Sequence, residues 1–223
     1  PAGYKAAYTS HSVQQQSGIK APIRAFLFEH MFLQDGAVIN ADFGARPQIS
    51  ADLIAVVKDA NIQDARTPLE VLEHVSYVVP YIELSDAMLG ENDPVTAFAL
   101  IATNVGTRYG VLGEPIAVEA TSEFLEKLAA MRVVMTDAAG KELGQAEGKA
   151  MSGHPLNSVL WLGADLAYNA QRIQPGDMLG VGAFFPPTTP KAGSGITVQY
   201  VGLPGDPSVS VSFEDDKTVA AQR

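Results

Sequence analysis

The stretch PQISADLIAVV, residues 47–57, has the composition of a buried β-strand with one carboxylate in its middle. Strand side chains alternate between the two faces of a sheet, so Asp52 shares a face with Ser50, Ile54 and Val56. The opposite face is wholly apolar: Ile49, Ala51, Leu53, Ala55 and Val57. A carboxylate on a largely apolar face is costly unless it is paired, hydrogen-bonded or bound to a metal. Either this face is open to water, or Asp52 has a functional role.

The composition is that of an ordinary globular protein. Of the 223 residues, 47% are hydrophobic and 18% are charged, which is enough apolar material for a sizeable core. The net charge of −10 argues against a protein that binds duplex nucleic acid, since such a protein needs a basic face for the phosphates. No apolar run is long enough to span a membrane. The absence of cysteine excludes disulfides, thiolate nucleophiles and cysteine-based zinc sites.

The pattern of the chain favours one α+β domain over residues 1–223, because strands outnumber helices and do not alternate regularly with them. No linker or composition shift divides the chain. The turn Gln34-Asp35-Gly36 predicts a hairpin, and residues 10–18 a helical turn. Helical spacing of the apolar residues in HPLNSVLWLGADLAYNA, residues 154–170, predicts the clearest helix. The tail, residues 214–223, is polar and is expected to fray.

Chemistry-bearing motifs for phosphate loops, dinucleotide folds, zincins and hydrolase elbows do not occur. Two carboxylates, Asp52 and Glu83, lie instead in separate apolar strands and could converge as oxygen ligands for a cation such as Mg²⁺. The residues alone favour the alternative that each faces solvent at a strand end. Lys5 within a strand has the same alternative, and His154 at a helix start favours a structural role.

Taken together, these segments resemble the 2-keto-4-pentenoate hydratase family, a family of aromatic catabolism within the fumarylacetoacetate hydrolase superfamily. The resemblance covers nearly the whole chain in order, and GHPLNSVLWL is its most specific part. The other matching segments are GYKAAYTSHSVQ (3–14), FLFEHMFL (26–33), RPQISADLIAVV (46–57), VVPYIELSD (78–86) and QPGDMLGVGAF (174–184). The helical segment that usually precedes the lysine strand in this family is expected to be missing, because the sequence starts late.

The resemblance implies a mixed, mainly antiparallel β-roll of the C-terminal-domain type, with peripheral helices, assembled into homo-oligomers. It also implies a Mg²⁺ or Mn²⁺ ion, held by three carboxylates, that chelates a small 2-keto acid during hydration. Glu83 matches the third ligand, Asp52 matches the second with one methylene fewer, and Lys5 matches the lysine that handles protons. Asp86 matches an aspartate near the site.

Several positions of the site depart from the family pattern. Ser50 stands where the first metal ligand is expected, and His30 stands where an aspartate is expected, so His30 is a candidate acid or base. Ala183 and Phe185 replace a serine and a threonine, while Asn104 is retained. The predicted substrate pocket therefore comprises Asp86, Asn104, Ala183 and Phe185. Loss of one anionic ligand predicts a weakened metal centre.

Three functions follow from this pattern. The first is a hydratase in which Asp52 and Glu83 bind the ion and Lys5 and His30 move protons. The second is a homologue with a degenerate metal site that acts as a small-molecule-binding or scaffold protein. The third is a decarboxylase or isomerase on the same scaffold. The resemblance implies a cytoplasmic protein with no nucleic-acid or membrane partner, and an exported or periplasmic one is the alternative, because the N-terminus looks truncated.

Overall fold

The computed structural model describes residues 1–9, 14, 15, 17–90 and 92–215. The helical turn predicted over residues 10–18 and the frayed tail predicted over 214–223 lie largely outside these residues. No helix within the described ranges is long and apolar enough to cross a membrane.

The described residues form thirteen strands and four α-helices. The strands are β1 Gly3–Ala7, β2 Ile23–Leu27, β3 Phe32–Gln34, β4 Ala37–Asn40, β5 Pro47–Val57, β6 Val75–Asp86, β7 Thr107–Leu112, β8 Ile116–Ala117, β9 Arg132–Asp137, β10 Glu142–Glu147, β11 Met178–Gly180, β12 Ser194–Val201 and β13 Ser208–Glu214. The helices are α1 Pro68–Glu73, α2 Ala97–Ala102, α3 Ser122–Ala130 and α4 Leu156–Tyr168. Short 3₁₀ turns lie at Glu29–Met31, Ala60–Asp64, Asn104–Gly106 and Gly148–Ala150.

Two mixed sheets are built from these strands. In the described part of the chain, the larger sheet has the order β2-β1-β11-β5-β6-β7-β3, with β8 beside β6, and the smaller has the order β10-β9-β12-β13-β4. Most neighbouring strands are antiparallel; the parallel pairs are β1 with β11, β3 with β7 and β4 with β13. The predicted α+β, mainly antiparallel architecture is therefore confirmed.

The main core lies against the apolar face of β5. Ile49, Ala51 and Leu53 are fully buried there, with residues of the smaller sheet such as Val198 and residues of α4 such as Leu162 in the same cluster. Burial of this face contributes about 25 cal/mol for each Å² of apolar surface removed from water, which fixes the register of β5. The opposite face of β5 carries Ser50 and Asp52. Burial of the apolar face therefore also determines on which side of the sheet these polar side chains lie.

The predicted hairpin at Gln34-Asp35-Gly36 is wrong. β3 pairs with β7 in the larger sheet, whereas β4 pairs with β13 in the smaller one, so the turn carries the chain between sheets. The Asp35 carboxylate accepts hydrogen bonds from the backbone N–H and the hydroxyl of Ser210, at 2.7 and 2.9 Å. The turn is thus anchored on β13, a partner that is distant in sequence and that local turn chemistry does not reveal.

The predicted helix over residues 154–170 is confirmed as α4, and its start is held by two side chains. The imidazole of His154 accepts a hydrogen bond from the backbone N–H of Leu156 at 3.1 Å through Nδ1, and its Nε2 lies 3.1 Å from the carbonyl oxygen of Leu125. The side-chain amide of Asn157 donates to the carbonyl oxygen of Ser152 at 2.8 Å. Burial holds the pKa of His154 below its usual value. His154 therefore has the structural role that the sequence favours.

Candidate active site

The register of β5 and β6 places four polar side chains on one face of the larger sheet. Ser50 lies directly opposite Glu83, and Asp52 lies directly opposite Tyr81. Residues directly opposite each other in an antiparallel pair share a face, so all four point away from the main core. Each of the four is at most 5% exposed. We call this the site face, defined by Ser50, Asp52, Tyr81 and Glu83.

Lys5 joins the site face from β1. Its ammonium group donates to Oε1 of Glu83, and only 3% of Lys5 and 5% of Glu83 are exposed. Lys5 pairs with Gly180 of β11, and a Cβ atom on Gly180 would come within 2.8 Å of the Lys5 Cγ. The glycine thus leaves a path along which the lysine side chain reaches the site. The alternative that Lys5, Asp52 and Glu83 face solvent is wrong, because all three are buried.

Asp52 has one satisfied and one unsatisfied carboxylate oxygen. Its Oδ1 accepts hydrogen bonds from the backbone N–H groups of Leu53 at 2.6 Å and Gly182 at 2.9 Å. Its Oδ2 is buried and has no hydrogen-bond partner among the described residues. Burial first, and the nearby Glu83 carboxylate second, raise the pKa of Asp52 to about 7 against the opposing effects of Lys5 and the two N–H groups. The free Oδ2 marks a place where a cation or a proton would be stabilised.

Tyr81 was not predicted to belong to the site. Its ring is fully buried in an apolar cluster with Leu27, Ile54 and Val79. Its hydroxyl lies over Gly110, where a Cβ atom would come within 1.8 Å of the hydroxyl oxygen. That hydroxyl also has no hydrogen-bond partner among the described residues. Burial, together with the nearby carboxylates, raises the pKa of Tyr81 well above its ordinary value, so the phenol is neutral.

Tyr200 of β12 supports the site from the core side. Its hydroxyl donates to the carbonyl oxygen of Asp52, accepts from the backbone N–H of Tyr81 at 3.1 Å, and lies 3.1 Å from the Tyr81 carbonyl oxygen. These two residues are the directly opposed pair of β5 and β6. Tyr200 therefore links the smaller sheet to the backbone beneath the site. No signal in the sequence around Tyr200 identifies this contact, because it depends on how the two sheets pack.

Asp86 and Asn104 are held by structural hydrogen bonds. The Asp86 carboxylate accepts from the backbone N–H groups of Arg46 at 2.9 Å and Met88 at 3.1 Å, and from the Arg108 guanidinium at 3.3 Å. Burial raises its pKa, but these donors outweigh the burial and lower the pKa overall. The Asn104 amide pairs with both backbone groups of Phe26, at 2.7 and 2.9 Å, and so caps the edge strand β2. Their predicted places in a substrate pocket gain no support from these contacts.

Ala183, Phe185 and His30 lie apart from the site face. Ala183 is exposed in the loop after β11, and the Phe185 ring packs against Gly144 of β10. His30 is exposed, and its ring stacks on Phe28 with the ring centres 5.8 Å apart. The described contacts therefore do not bring these three predicted site residues to Lys5, Asp52 and Glu83.

Two further observations concern the acidic side chains of the site and a cavity elsewhere in the protein. Within the described ranges there is no cluster of three or more histidine, cysteine, aspartate or glutamate side chains that could hold a metal ion. On the site face, the two carboxylates of Asp52 and Glu83 are accompanied by the hydroxyl groups of Ser50 and Tyr81. A separate open cavity of about 630 Å³ lies beside α4, lined by residues such as Gln63, Arg66 and Arg172. It contains none of the site-face residues.

Comparisons with known proteins agree on one group of enzymes. No protein-family model matches the chain. The chain is 30% identical over 212 residues to 4-oxalocrotonate decarboxylase from Pseudomonas putida, covering 95% of this chain and 76% of that protein. It is 28% identical over 202 residues to 2-keto-4-pentenoate hydratase 1 from Dechloromonas aromatica strain RCB, covering 90% and 74% of the two chains.

Solved structures give the same result. The chain superposes on 4-oxalocrotonate decarboxylase from Pseudomonas putida G7, complexed with magnesium and adipate, with a TM-score of 0.82 and 27% sequence identity. The superposition covers 95% of this chain and 77% of that one. Both the sequence similarity and the structural similarity therefore extend over almost all of the chain.

Proposed function

Because the chain belongs to the 2-keto-4-pentenoate hydratase family of the fumarylacetoacetate hydrolase superfamily, an enzyme family of hydratases and decarboxylases, we propose that it adds water to a small, conjugated 2-keto acid. The observation that carries the proposal is the buried group of Lys5, Asp52 and Glu83 on one face of the sheet. An ammonium group and two carboxylates in a site shielded from water are suited to acid–base chemistry on a polar substrate.

The residues present fit a divalent metal ion. Asp52 Oδ2 is buried with no hydrogen-bond partner from the residues that the structure describes, and Glu83 and the Ser50 hydroxyl lie beside it on the site face. Hard cations such as Mg²⁺ and Mn²⁺ prefer such oxygen ligands and complete their coordination with water or substrate. When bound, the ion would supply Lewis-acid polarisation of the 2-oxo group. With two carboxylates in place of three, we expect weak binding.

Lys5 is the residue that we assign to proton transfer. A 2-hydroxydienoate first moves the proton of its 2-hydroxyl group to C5, which gives the conjugated 2-keto acid. Hydration then joins the water oxygen to C4, moves an electron pair onto the 2-oxo oxygen, and ends when C3 takes up a proton. The Lys5 Nζ, fixed by Glu83, holds a proton at the site and would deliver it to C3. The proton that the attacking water loses restores the lysine. Asp52 holds its Oδ1 on two backbone N–H groups, which keeps Oδ2 directed for binding.

Decarboxylation of a 2-keto diacid is the second candidate. The similarity to 4-oxalocrotonate decarboxylase, at 30% identity and with a TM-score of 0.82 for the solved structure, favours it. When carbon dioxide leaves, the electron pair of the broken carbon–carbon bond enters the same conjugated system, and the negative charge moves to the 2-oxo oxygen. The same residues therefore serve both reactions. A homo-oligomer in the cytoplasm, which the family resemblance implies, belongs to this proposal as well.

Product analysis of two substrates tests the proposal. The protein is incubated with 2-hydroxypenta-2,4-dienoate and, separately, with 4-oxalocrotonate, each with millimolar Mg²⁺ or Mn²⁺. We expect 4-hydroxy-2-oxopentanoate from the first substrate. If only the second substrate is turned over, with release of carbon dioxide, the activity is decarboxylation and not hydration. Lys5→Met should abolish turnover, and Lys191→Met, at an exposed lysine, should leave it unchanged. Absence of turnover of both substrates would refute the proposed function and favour the binding or scaffold alternative.

Thermal unfolding tests the metal ligands separately. Millimolar Mn²⁺ should raise the melting temperature of the wild-type protein, because an ion that binds only the folded state stabilises it. Asp52→Ala combined with Glu83→Ala should remove this shift. If Mn²⁺ causes no shift in the wild-type protein, the metal part of the proposal is wrong, whatever the outcome of the turnover assay.

A further inference from the structure

We propose that the Tyr81 hydroxyl donates a hydrogen bond to an oxygen of the 2-keto acid bound beside Glu83, which makes Tyr81 a substrate-binding residue. This inference rests on the proposed function and deepens it, because it names the donor that recognises the acid. The family resemblance does not indicate this role for Tyr81.

The position of the hydroxyl supports the proposal. On the site face, Glu83 has Ser50 as its neighbour on β5 and Gly110 as its neighbour on β7. The Tyr81 hydroxyl occupies the space over Gly110, since a Cβ atom there would lie 1.8 Å from it. The phenol therefore lies beside Glu83, on the side opposite Ser50. A ligand that contacts Glu83 would come within reach of this hydroxyl.

The hydroxyl is available for a ligand. It is buried and has no hydrogen-bond partner among the described residues. A buried polar group without a partner costs free energy, so proteins retain such groups where a ligand or water completes them. The Tyr81 ring packs against Leu27, Ile54 and Val79 and meets the Phe32 ring edge-on, with ring centres 6.4 Å apart. This packing holds the ring, and with it the hydroxyl, at the position over Gly110.

The charges of the site explain why a neutral donor is needed. Asp52 and Glu83 are acceptors when ionised, and the Lys5 ammonium already donates to Glu83. A 2-keto acid brings a carboxylate and a carbonyl oxygen, both of which require donors. Tyr81 supplies an O–H donor on the site face without adding negative charge beside the two carboxylates. A site built to donate to a ligand oxygen discriminates against ligands that lack that oxygen.

Ligand binding tests this role in the whole protein. The probes are pyruvate and oxalate, titrated in the presence of Mn²⁺ by calorimetry. Tyr81→Phe retains the ring and its packing but removes the donor, so the dissociation constant of each probe should rise about tenfold to about a hundredfold. Tyr77→Phe is the matched control, because Tyr77 lies on the same strand and the same face but is 44% exposed, and it should leave binding unchanged.

Two more readouts separate the outcomes. Mn²⁺ binding alone should be equal in wild-type protein and Tyr81→Phe, because the hydroxyl contacts the acid rather than the ion. The near-ultraviolet difference spectrum on adding oxalate should contain a tyrosine band that Tyr81→Phe loses. If wild-type protein binds the probes and Tyr81→Phe binds them equally well, this inference alone is overturned. If wild-type protein binds neither probe, the proposed function fails and this inference fails with it.

Discussion

Lys5 on β1 forms a buried ion pair with Glu83 on β6, although β11 and β5 lie between these two strands. The pair exists because Gly180 on β11 carries no side chain over which the lysine would have to pass. A buried ion pair costs desolvation free energy that its attraction offsets only in part. The pair therefore contributes little to the stability of the fold, and we attribute its presence to a role in proton transfer.

Gly180→Ala tests how the lysine reaches the site. The new methyl group would meet the Lys5 Cγ at 2.8 Å, so the lysine side chain must move from its present position. We expect a loss of stability of about 1–3 kcal/mol and a large loss of turnover. Urea unfolding and the hydration assay measure these two effects. Gly195→Ala in β12 is the control, since its Cβ would make ordinary contacts at 3.6 Å or more. Equal behaviour of the two variants would show that Gly180 has no such function.

A double-mutant cycle tests the coupling of Lys5 and Glu83. Lys5→Met leaves buried carboxylates without their cation and should destabilise the protein by about 3–5 kcal/mol. Adding Glu83→Gln should recover part of this loss, because it removes one of the unpaired charges. Urea unfolding of the four proteins gives the coupling free energy. The exposed pair Lys127 and Glu123 is the control and should show a much smaller coupling free energy, because solvent screens it. A buried pair that couples no more strongly than the exposed one contradicts the structure.

Asp52 makes stability depend on pH in a definite direction. Its pKa is about 7 in the folded protein and near 3.8 when exposed, so between these values folding takes up a proton. The free energy of unfolding should therefore fall as pH rises through this window, by on the order of 2–4 kcal/mol, and level off above it.

Asp52→Asn isolates this contribution from all other groups, because asparagine keeps an oxygen that can accept from Leu53 and Gly182 but does not titrate. The difference in unfolding free energy between wild-type protein and Asp52→Asn, measured from pH 5 to about pH 8 without divalent metal, should favour the variant increasingly as pH rises. A difference that is constant over this range, or that changes in the opposite direction, would show that Asp52 is not held protonated by burial.

Tyr200→Phe tests the support beneath the site. The variant removes the hydroxyl that links β12 to the backbone of Asp52 and Tyr81. These buried backbone groups lose a partner, so we expect destabilisation of about 1–3 kcal/mol and a smaller decrease in turnover. Thermal unfolding and kcat measure the two effects. Tyr168→Phe, at a residue that is 91% exposed, should change neither. If Tyr200→Phe behaves like Tyr168→Phe, the link between the sheets does not stabilise the site.

Strand alternation correctly places Asp52 on the face away from the core, because burial of the apolar face fixes the register. Alternation also contained the signal for Tyr81, which lies two residues before Glu83 on the same strand and therefore shares its face. That signal was missed because an aromatic residue in an apolar strand is ordinarily assigned to the core. The ring lies in the small apolar cluster with Leu27, Ile54 and Val79, and its hydroxyl lies over Gly110 beside Glu83.

Residue matching with the family placed Lys5 near Glu83 but gave no information on side-chain partners elsewhere. The Asp86 carboxylate accepts hydrogen bonds from nearby backbone N–H groups, and the Asn104 amide forms hydrogen bonds with the edge strand β2. The contact of Tyr200 was missed, and the hairpin at Asp35 was wrongly predicted, for the same reason. Their contacts join segments that are far apart in sequence, and only the packing of the two sheets defines them.

The central claim is that Lys5, Asp52 and Glu83 promote proton transfer at C3 of a 2-keto acid, the step that completes hydration. Exchange of the C3 protons of 2-oxobutanoate with D₂O, followed by NMR with Mg²⁺ present, measures it most directly. We predict exchange well above the buffer rate for wild-type protein and for Lys191→Met, and exchange at the buffer rate for Lys5→Met and Asp52→Asn. Exchange at the buffer rate for the wild-type protein, or equal acceleration by all four proteins, would contradict the claim.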